Sequence, residues 1–448
     1  MSPALRVAVI GAGPSGLYAA VDLLKRHPEA RVDVFDRLPV PGGLVRSGVS
    51  PDHALRRAVI AVCERLALGS GRFRYFGNMT LGEQFQVQDL REHYHATLFA
   101  SGAGSDRRLG IPGEDLPGSH PATAFVGWYN CHPDHAGQRF DLSAERAVVV
   151  GNGNVALDVA RMLLLPVDEL RHTDMADHAL DALAESRVRE VVILGRRGPA
   201  QAAFTAPELL ELATLQGVDI AVEGALPERV VDAGQALRLQ LLRELQQRPS
   251  SGAGRRLVLR FLSSPEAILG SERVEALRIA RNRLVEGAGG EPRAEATGET
   301  EMLETGLVFR SVGYRAEPLP GLPFDPQRAV LPNADGRVLD PERGHAPLPG
   351  CYVAGWLKRG PSGVIGTNKI CSRQTVTALL ADAAAGRLGD TPQAGSELPA
   401  LLQRGRTELV DYDGWKRIDR QEQARGAPQG RPRARLASVA EMLLTANA

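Results

Sequence analysis

The sequence has few cysteines, few aromatic residues and no net charge. Only four of its 448 residues are cysteine, and aromatic side chains make up 5% of the chain. Cys63, Cys131, Cys351 and Cys371 lie far apart and form neither a C-x-x-C pair nor a metal-ligand spacing. This argues against a built-in iron-sulfur cluster and against a redox disulfide, and we expect these cysteines to be small buried hydrophobic residues.

Long apolar runs and an excess of one charge are also missing. Lys plus Arg and Asp plus Glu both number 53, so the chain projects little net field toward nucleic acid or an anionic membrane. No apolar run approaches the roughly 20 residues that a membrane helix requires. Strand-like residues 5–10 follow the first four residues directly, which leaves no room for a signal peptide. We therefore expect a soluble, cytoplasmic and monomeric protein that binds no nucleic acid.

Two segments share one pattern, in which a β-branched strand runs into a glycine-rich turn and then into a helix rich in alanine and leucine. The first has strand residues 6–10 before the turn GAGPSG at 11–16, and the second has strand residues 147–150 before the turn GNGNVA at 151–156. This pattern is typical of the start of a dinucleotide-binding βαβ unit. Two nucleotide sites in one chain are predicted.

The first turn has the complete glycine pattern. Gly11 permits the tight turn, Gly13 lets the backbone approach a pyrophosphate, and Gly16 lets the helix pack close to the strand. Asp36 lies 20 residues after Gly16 at a strand end, where a carboxylate can accept hydrogen bonds from ribose hydroxyls. These residues predict a dinucleotide site.

The second turn has alanine, Ala156, in place of the third glycine. Where an acidic residue would bind an unmodified ribose, the chain has Arg196 and Arg197. Two guanidinium groups attract a 2′-phosphate and cannot accept a bond from a free hydroxyl, so this site is predicted to bind NADP(H). Glu208 either orients these arginines or a ribose hydroxyl, or simply complements a helix dipole.

The order of these elements predicts an α/β fold with two Rossmann-like dinucleotide-binding domains. A Gly- and Pro-rich passage at 110–121 marks the first boundary, and a Pro-rich stretch at 318–332 marks the return. The predicted FAD-binding domain comprises residues 1–105 and 330–448, and the NADP-binding domain, residues 106–329, is inserted into it. The tail from about residue 386 is expected to wrap the surface in part, without a core of its own.

Longer stretches resemble the adrenodoxin reductase family of NADPH-ferredoxin reductases. These are LPVPGGLVRSGVSPDH at 38–53, GNGNVALDVAR at 151–161 and AGWLKRGPSGVIGTN at 354–368. Shorter matches lie at 125–130, 195–199 and 260–265, and together the stretches run in order from residue 5 to about 385. The resemblance implies an enzyme in which FAD takes a hydride from NADPH and passes single electrons to a ferredoxin.

The resemblance also implies cofactor contacts. For FAD they are Ala12, Asp36, Gly43, Leu44, Met79, Trp356, Gly363, Val364 and Ile365. For NADP they are Arg107, Asn152, Gly153, Asn154, Val155, Arg196, Arg197, Glu208 and Gly363. The chain departs from its relatives in two places: Asp36 stands where glutamate is common, and Met79 replaces a smaller apolar residue.

Two further residues match a polar link near the flavin that is proposed in the family as a proton path. They are His53 and Asp158. Without the family, His53 would be interpreted as a turn residue after Pro51 and Asp52, and Asp158 as a carboxylate on a helix surface. We predict a role near the flavin for both.

The electron acceptor is expected to be a separate protein, since the chain has neither the transit segment nor the N-terminal ferredoxin of some relatives. A basic stretch either docks an acidic ferredoxin or is a solvated face, and it contains Arg238, Arg243, Arg248, Arg255, Arg256 and Arg260. Three alternatives remain open: an NADPH-dependent flavin monooxygenase or oxidase, a catalytically silent nucleotide-sensing module, and an electron-feeding subunit like that of glutamate synthase. The last is weakened by the missing cysteine clusters.

Overall fold

The computed structural model describes residues 4–53, 61, 65, 71–228, 232–363, 365–388, 398, 402 and 408–448. It divides into two units. The first unit comprises Met1–Ser105, Asn130–Pro133 and Tyr314–Ala448, and the second unit comprises Asp106–Tyr129 and Asp134–Gly313.

Strands and helices alternate along much of the chain. The strands are β1 (Arg6–Ile10), β2 (Arg31–Phe35), β3 (Phe73–Phe76), β4 (Ala96–Phe99), β5 (Ser105–Asp106), β6 (Ser119–Pro121), β7 (Arg146–Val150), β8 (Glu190–Gly195), β9 (Asp219–Glu223), β10 (Arg256–Phe261), β11 (Ser263–Leu269), β12 (Ala276–Glu286), β13 (Pro292–Glu304), β14 (Leu307–Arg310), β15 (Tyr314–Arg315), β16 (Asn333–Ala334), β17 (Arg337–Asp340) and β18 (Ala346–Val353). The α-helices among the described residues are α1 (Pro14–Arg26), α2 (Leu44–Ser47), α3 (Val87–His93), α4 (Ala122–Tyr129), α5 (Pro133–Ala136), α6 (Asn154–Leu164), α7 (Val167–Leu170), α8 (Asp177–Ala184), α9 (Ala206–Ala213), α10 (Ala233–Gln247), α11 (Trp356–Arg359), α12 (Ile365–Ala384), α13 (Tyr412–Gly426) and α14 (Val439–Asn447).

The first unit is built on a seven-stranded sheet in the order β16-β17-β18-β4-β1-β2-β3. Strands β18, β4, β1, β2 and β3 are parallel, and four of the five residues of β1 are buried, as expected for a strand covered on both faces. In parallel pairing, Val9 lies opposite Val34 on one side and Leu98 on the other. The carboxyl ends of these strands therefore meet at one edge of the sheet, where ligands bind in such folds.

The second unit contains a six-stranded parallel sheet in the order β6-β14-β7-β8-β10-β9. Strand β7 carries the valines that precede the second glycine turn, and it lies between β14 and β8. A separate antiparallel sheet of β11, β12 and β13 belongs to the same unit. The second glycine turn thus leaves the centre of a parallel sheet, as the first one does.

The chain returns to the first unit at Tyr314, about 16 residues before the predicted return near 330. The prediction took the Pro-rich stretch for a linker. In the structure Leu319, Leu322 and Phe324 from this stretch pack against the core of the first unit. Because burying these apolar side chains is favourable, the stretch packs as part of the first unit.

The described part of the tail contributes more to the core than the sequence indicated. Helices α13 and α14 pack against each other, and Trp415, Ile418 and Met442 are buried in the core of the first unit. Trp415 and Ile418 lie three residues apart and therefore on one face of α13. The tail does not merely wrap the surface.

Cys131, Cys351 and Cys371 are buried thiols, as predicted, whereas Cys63 lies outside the described residues. Within the described ranges, no helix combines the length and apolar character needed to cross a membrane.

Candidate nucleotide-binding sites

Two positions of the first glycine turn, Gly11 and Gly16, have no room for a side chain. Gly11 has φ of +109°, and a Cβ there would lie 2.5 Å from the carbonyl oxygen of Ala100. A Cβ at Gly16 would lie 1.9 Å from the carbonyl oxygen of Gly11. Gly13 precedes α1, which has no side-chain cap at its N-terminus. The amides of the first turn of α1 can therefore donate to a phosphate group.

A second pair of glycines, Gly42 and Gly43, packs against this turn. Gly43 has φ of +50°, and a Cβ there would lie 3.0 Å from the Cα of Gly13. The amide of Gly42 donates to the carbonyl of Ala12 at 2.9 Å. Leu44 then begins α2 and is half-buried. The predicted residues Ala12, Gly13, Gly43 and Leu44 are thus brought together.

Asp36 follows β2 and organises the same loop. Its carboxylate accepts hydrogen bonds from the amides of Ala12 at 2.7 Å and Leu38 at 2.9 Å. Burial raises the pKa of this carboxyl, although the two hydrogen bonds and the charge of Arg37 act in the opposite direction. The amide of Met79 donates to the Asp36 carbonyl at 2.8 Å, and the Met79 side chain is buried. The loop therefore gathers Ala12, Asp36 and Met79.

The stretch after β18 lies against the first turn of α1. Gly355 has φ of +73°, and a Cβ there would lie 2.2 Å from the Oγ of Ser15. Trp356 begins α11, with its ring 5.2 Å from that of Tyr314. Its indole Nε1 is buried and has no hydrogen-bond acceptor among the described residues. A buried donor of this kind suits a ligand with an acceptor oxygen or nitrogen.

The other predicted residues of this stretch lie close along the chain. Gly363 has φ of +81°, a conformation that favours glycine, and half-buried Ile365 begins α12. Val364 lies outside the described residues. Two residues nearby, Asn368 and Arg359, were not singled out from the sequence, although both stand in the stretch that matches the family.

The second glycine turn repeats the geometry of the first. Gly151 has φ of +114°, and a Cβ there would lie 2.1 Å from the carbonyl oxygen of Ser311. Gly153 precedes α6, whose N-terminus has no side-chain cap. Half-buried Val155 stands in the first turn of this helix, and Ala156 is fully buried, so alanine fits where the first turn has its third glycine.

Asn152 and Asn154 connect the second turn to α9. The carbonyl of Asn152 accepts a bond from the amide of Phe204 at 3.0 Å, and Oδ1 of Asn154 accepts one from the amide of Thr205 at 2.8 Å. Because Thr205 precedes α9, these bonds set the start of that helix. Glu208 lies in its first turn and is buried.

Arg196 and Arg197 follow β8. Hydrogen bonds fix their backbone, whereas their guanidinium groups have no partner among the described residues. The Arg196 carbonyl accepts from Nδ2 of Asn282 at 2.9 Å, and the Arg197 carbonyl accepts from the amide of Leu262 at 3.1 Å. Arg196 is exposed and Arg197 half-buried. Within the described ranges, neither guanidinium has a hydrogen-bond acceptor or a carboxylate partner.

Arg107 stands in the second unit. Its amide donates to the Gly313 carbonyl at 3.0 Å, and its side chain is exposed. The exposed side chain is available to a ligand.

His53 and Asp158 lie in different units. His53 is half-buried, and its amide donates to the Ser50 carbonyl at 3.0 Å, so it does stand in a turn. Asp158 is not a carboxylate on the surface of α6. It is buried, and it accepts a hydrogen bond from Nη2 of Arg161 at 2.7 Å. The pairing keeps a buried negative charge compensated.

The basic stretch in the second unit is largely engaged within that unit. Arg243, Arg248 and Arg255 donate to the carbonyls of Pro227, Ala213 and Leu164, respectively. Arg256 pairs with Glu190, and Arg260 pairs with both Glu223 and Glu301. These contacts do not favour the stretch as a docking surface for ferredoxin.

Comparisons with known proteins agree with this geometry. A family model described as pyridine nucleotide-disulphide oxidoreductase matches residues 5–223. The NADPH-ferredoxin reductase FprA of Mycobacterium tuberculosis is 46% identical, with 98% of each chain covered. The mitochondrial NADPH:adrenodoxin oxidoreductase of Salvelinus fontinalis is 43% identical over 99% of this chain and 91% of its own. The chain belongs to the NADPH-ferredoxin reductase family.

A solved structure extends the match to the whole fold. Mycobacterium tuberculosis FprA in complex with NADPH has a TM-score of 0.94 at 44% identity, covering 99% of this chain and 100% of that one. The resemblance to the NADPH-ferredoxin reductase family is thereby confirmed. So is the predicted α/β fold with two Rossmann-type domains.

Proposed function

We propose that this chain is an NADPH-ferredoxin reductase that binds FAD at the first glycine turn and NADP(H) at the second. The observation that carries the proposal is the difference between two otherwise similar sites. The first has the carboxylate of Asp36 beside its turn, and the second has the free guanidiniums of Arg196 and Arg197. A carboxylate suits the ribose hydroxyls of FAD, and two cations suit the 2′-phosphate of NADP.

The residues of the first site fit FAD. The glycine contacts bring bare backbone to the place of a diphosphate, and the uncapped start of α1 offers amides to it. Each carboxylate oxygen of Asp36 accepts one backbone hydrogen bond and has a second lone pair for a ribose hydroxyl. Met79, whose amide donates to the Asp36 carbonyl, would lie at the ribose end, and Gly43 would lie beside the diphosphate. Leu44, Trp356, Gly363 and Ile365 would line the flavin half, where the buried Nε1 of Trp356 provides a donor.

The residues of the second site fit NADP(H). The start of α6, from Gly153 to Val155, would hold the diphosphate, while Arg196 and Arg197 would hold the 2′-phosphate. Arg107 is a third cation in the same unit, with an exposed side chain, and Glu208 would orient a ribose hydroxyl or an arginine. These assignments follow the family match residue by residue.

Bound FAD would supply the redox chemistry, which is hydride acceptance from NADPH and transfer of single electrons to a ferredoxin. The chain itself binds and orients both nucleotides and shields them from water. Asp158 is a buried carboxylate that accepts a hydrogen bond from Arg161, and we propose, following the family, a role near the flavin for both His53 and Asp158. The ferredoxin is a separate protein in this proposal. A cytoplasmic location and a monomeric state remain predictions from the sequence.

An anaerobic stopped-flow experiment tests the proposal. The purified protein is mixed with NADPH or NADH, flavin bleaching is followed, and ferredoxins of different cluster types are then added. We expect bleaching by NADPH and rapid ferredoxin reduction. A colourless protein that takes up no FAD would contradict the proposal, and oxygen consumption that outruns ferredoxin reduction would indicate an oxidase or monooxygenase.

Two glycine substitutions should separate the two sites. Gly11→Ala adds a Cβ to a residue with positive φ and places it too close to the backbone of Ala100. The backbone strain by itself costs about 1–2 kcal/mol, which should weaken FAD binding about 10-fold. Gly151→Ala has the same defect at the second site, so it should keep FAD and lose rapid reduction by NADPH. Flavin content and stopped-flow reduction measure both effects.

Gly104→Ala and Gly137→Ala, where a Cβ meets nothing within 4 Å, serve as controls. Equal flavin loss in both test variants would argue against separate sites.

A further inference from the structure

Arg359 is connected to the first turn of α1. It is the last residue of α11, and its Nη2 donates to Oδ1 of Asn368 at 3.0 Å. The same oxygen accepts a hydrogen bond from Oγ of Ser15 at 3.2 Å, and Ser15 stands in the first turn of α1. The close contact of Gly355 with Ser15 fixes the start of α11 against this turn. The guanidinium of Arg359 is therefore held beside the phosphate-binding end of α1.

The other side-chain nitrogens of Arg359 lack acceptors. Its Nε and Nη1 are both buried, and the described residues offer neither of them a hydrogen-bond partner. The same residues provide no carboxylate within salt-bridge distance of the group. An arginine cannot lose its proton, so two buried and unpaired guanidinium donors are unfavourable unless an anion binds them. Nε and Nη1 point to different sides of the guanidinium, so they can donate to two different oxygens of a diphosphate.

We propose that Arg359 is a further FAD-binding residue, whose Nε and Nη1 donate to the diphosphate of the dinucleotide at the start of α1. This inference rests on the proposed function. The diphosphate is favoured over the flavin ring because Asn368 and Ser15 connect the guanidinium to the helix end where dinucleotide phosphates bind. Arg359 thus adds charge to a site otherwise formed by backbone amides.

The test compares Arg359→Gln and Arg359→Lys with wild-type protein. FAD affinity is measured by reconstituting the apoprotein, and the midpoint potential of the bound flavin is measured as well. We expect Arg359→Gln to weaken FAD binding about 10-fold to 100-fold, the usual effect of losing hydrogen bonds to a charged group. The potential should not change, because the diphosphate carries the same charge in both redox states. Arg359→Lys keeps the charge but lacks the separate Nε and Nη1 donors, so it should weaken binding less than Arg359→Gln does.

Each outcome is decisive. Unchanged FAD affinity in Arg359→Gln would overturn the proposal, and a shifted potential would place Arg359 at the flavin ring instead. If Arg359→Gln does not fold, Arg359→Lys decides, since wild-type affinity in that variant would also overturn the proposal. Arg373→Gln, which removes an exposed arginine of α12, should bind FAD like wild type. Failure of wild-type protein to bind FAD would instead refute the proposed function.

Discussion

Replacing Arg196 and Arg197 together by alanine is expected to lower kcat/KM for NADPH about 100-fold to 1,000-fold and to leave kcat/KM for NADH within about twofold. Both guanidiniums are free of partners in the described chain, so their charges are available to a 2′-phosphate. Each hydrogen bond to a charged group contributes about 1.5–3 kcal/mol, and two bonds near the lower end of this range account for the expected loss. NADH has no 2′-phosphate and makes no such bond.

Steady-state ferredoxin reduction with each nucleotide measures this effect, and anaerobic flavin reduction shows whether it arises at the nucleotide. Arg273→Ala is the matched control, because it removes an exposed arginine of the same unit that lies 3.8 Å from its only carboxylate partner among the described residues. A parallel loss with NADH and NADPH would mean that the two arginines stabilise the site rather than select the nucleotide. Wild-type preference in the double variant would contradict the assignment of the second site.

Both glycine turns could be predicted from the sequence because their signals are local. The glycines at 11, 13 and 16 are required by contacts with residues a few positions away or on the neighbouring strand. The geometry at Gly11 and Gly16 shows this. Arg196 and Arg197 follow β8 directly, so the end of the strand sets their place. Patterns of this kind need no knowledge of distant residues.

Side-chain partners far along the chain could not be predicted in this way. Arg260 stood in a run of arginines that suggested a basic surface, yet Glu223 and Glu301 bind it from two other strands. The local pattern around Asp158 is that of a surface carboxylate, but the packing of α6 against distant parts of the chain buries both Asp158 and its neighbour Arg161. The Pro-rich stretch before residue 332 gave no sign that Leu319 and Phe324 join a core. Each outcome depends on tertiary contacts that a local pattern does not contain.

The tail supplies a buried ion pair that the sequence did not indicate. Glu422 of α13 is fully buried, and its Oε1 accepts hydrogen bonds from Nη2 of Arg46 at 2.5 Å and from the amide of Leu436 at 3.1 Å. Arg46 is buried in α2, and Nη1 of Arg435 donates to the Arg46 carbonyl at 2.6 Å. The tail therefore holds both the side chain and the backbone of α2, which begins next to Gly43 of the first site.

Glu422→Gln is expected to destabilise the first unit by about 3–5 kcal/mol, because it leaves the charge of Arg46 buried without a carboxylate. Since α2 continues from the loop at Gly43, the variant should also release FAD at a lower urea concentration than wild type. Urea unfolding followed by tryptophan fluorescence and by free flavin measures both effects. Glu441→Gln is the control in the same tail, because Glu441 is exposed and a glutamine side-chain oxygen can also accept the hydrogen bond from the amide of Ala437.

Replacing both partners distinguishes the buried charge from the packing of the tail. Arg46→Met with Glu422→Met removes the two charges together, and buried pairs replaced by apolar residues of similar volume often lose little stability. The double variant should therefore be more stable than Glu422→Gln, with Arg433 retaining Asp419 as its carboxylate partner. If Glu422→Gln instead unfolds at the same urea concentration as wild-type protein, the ion pair contributes no more than an exposed salt bridge. The tail would then hold α2 only through Arg435 and through apolar contacts.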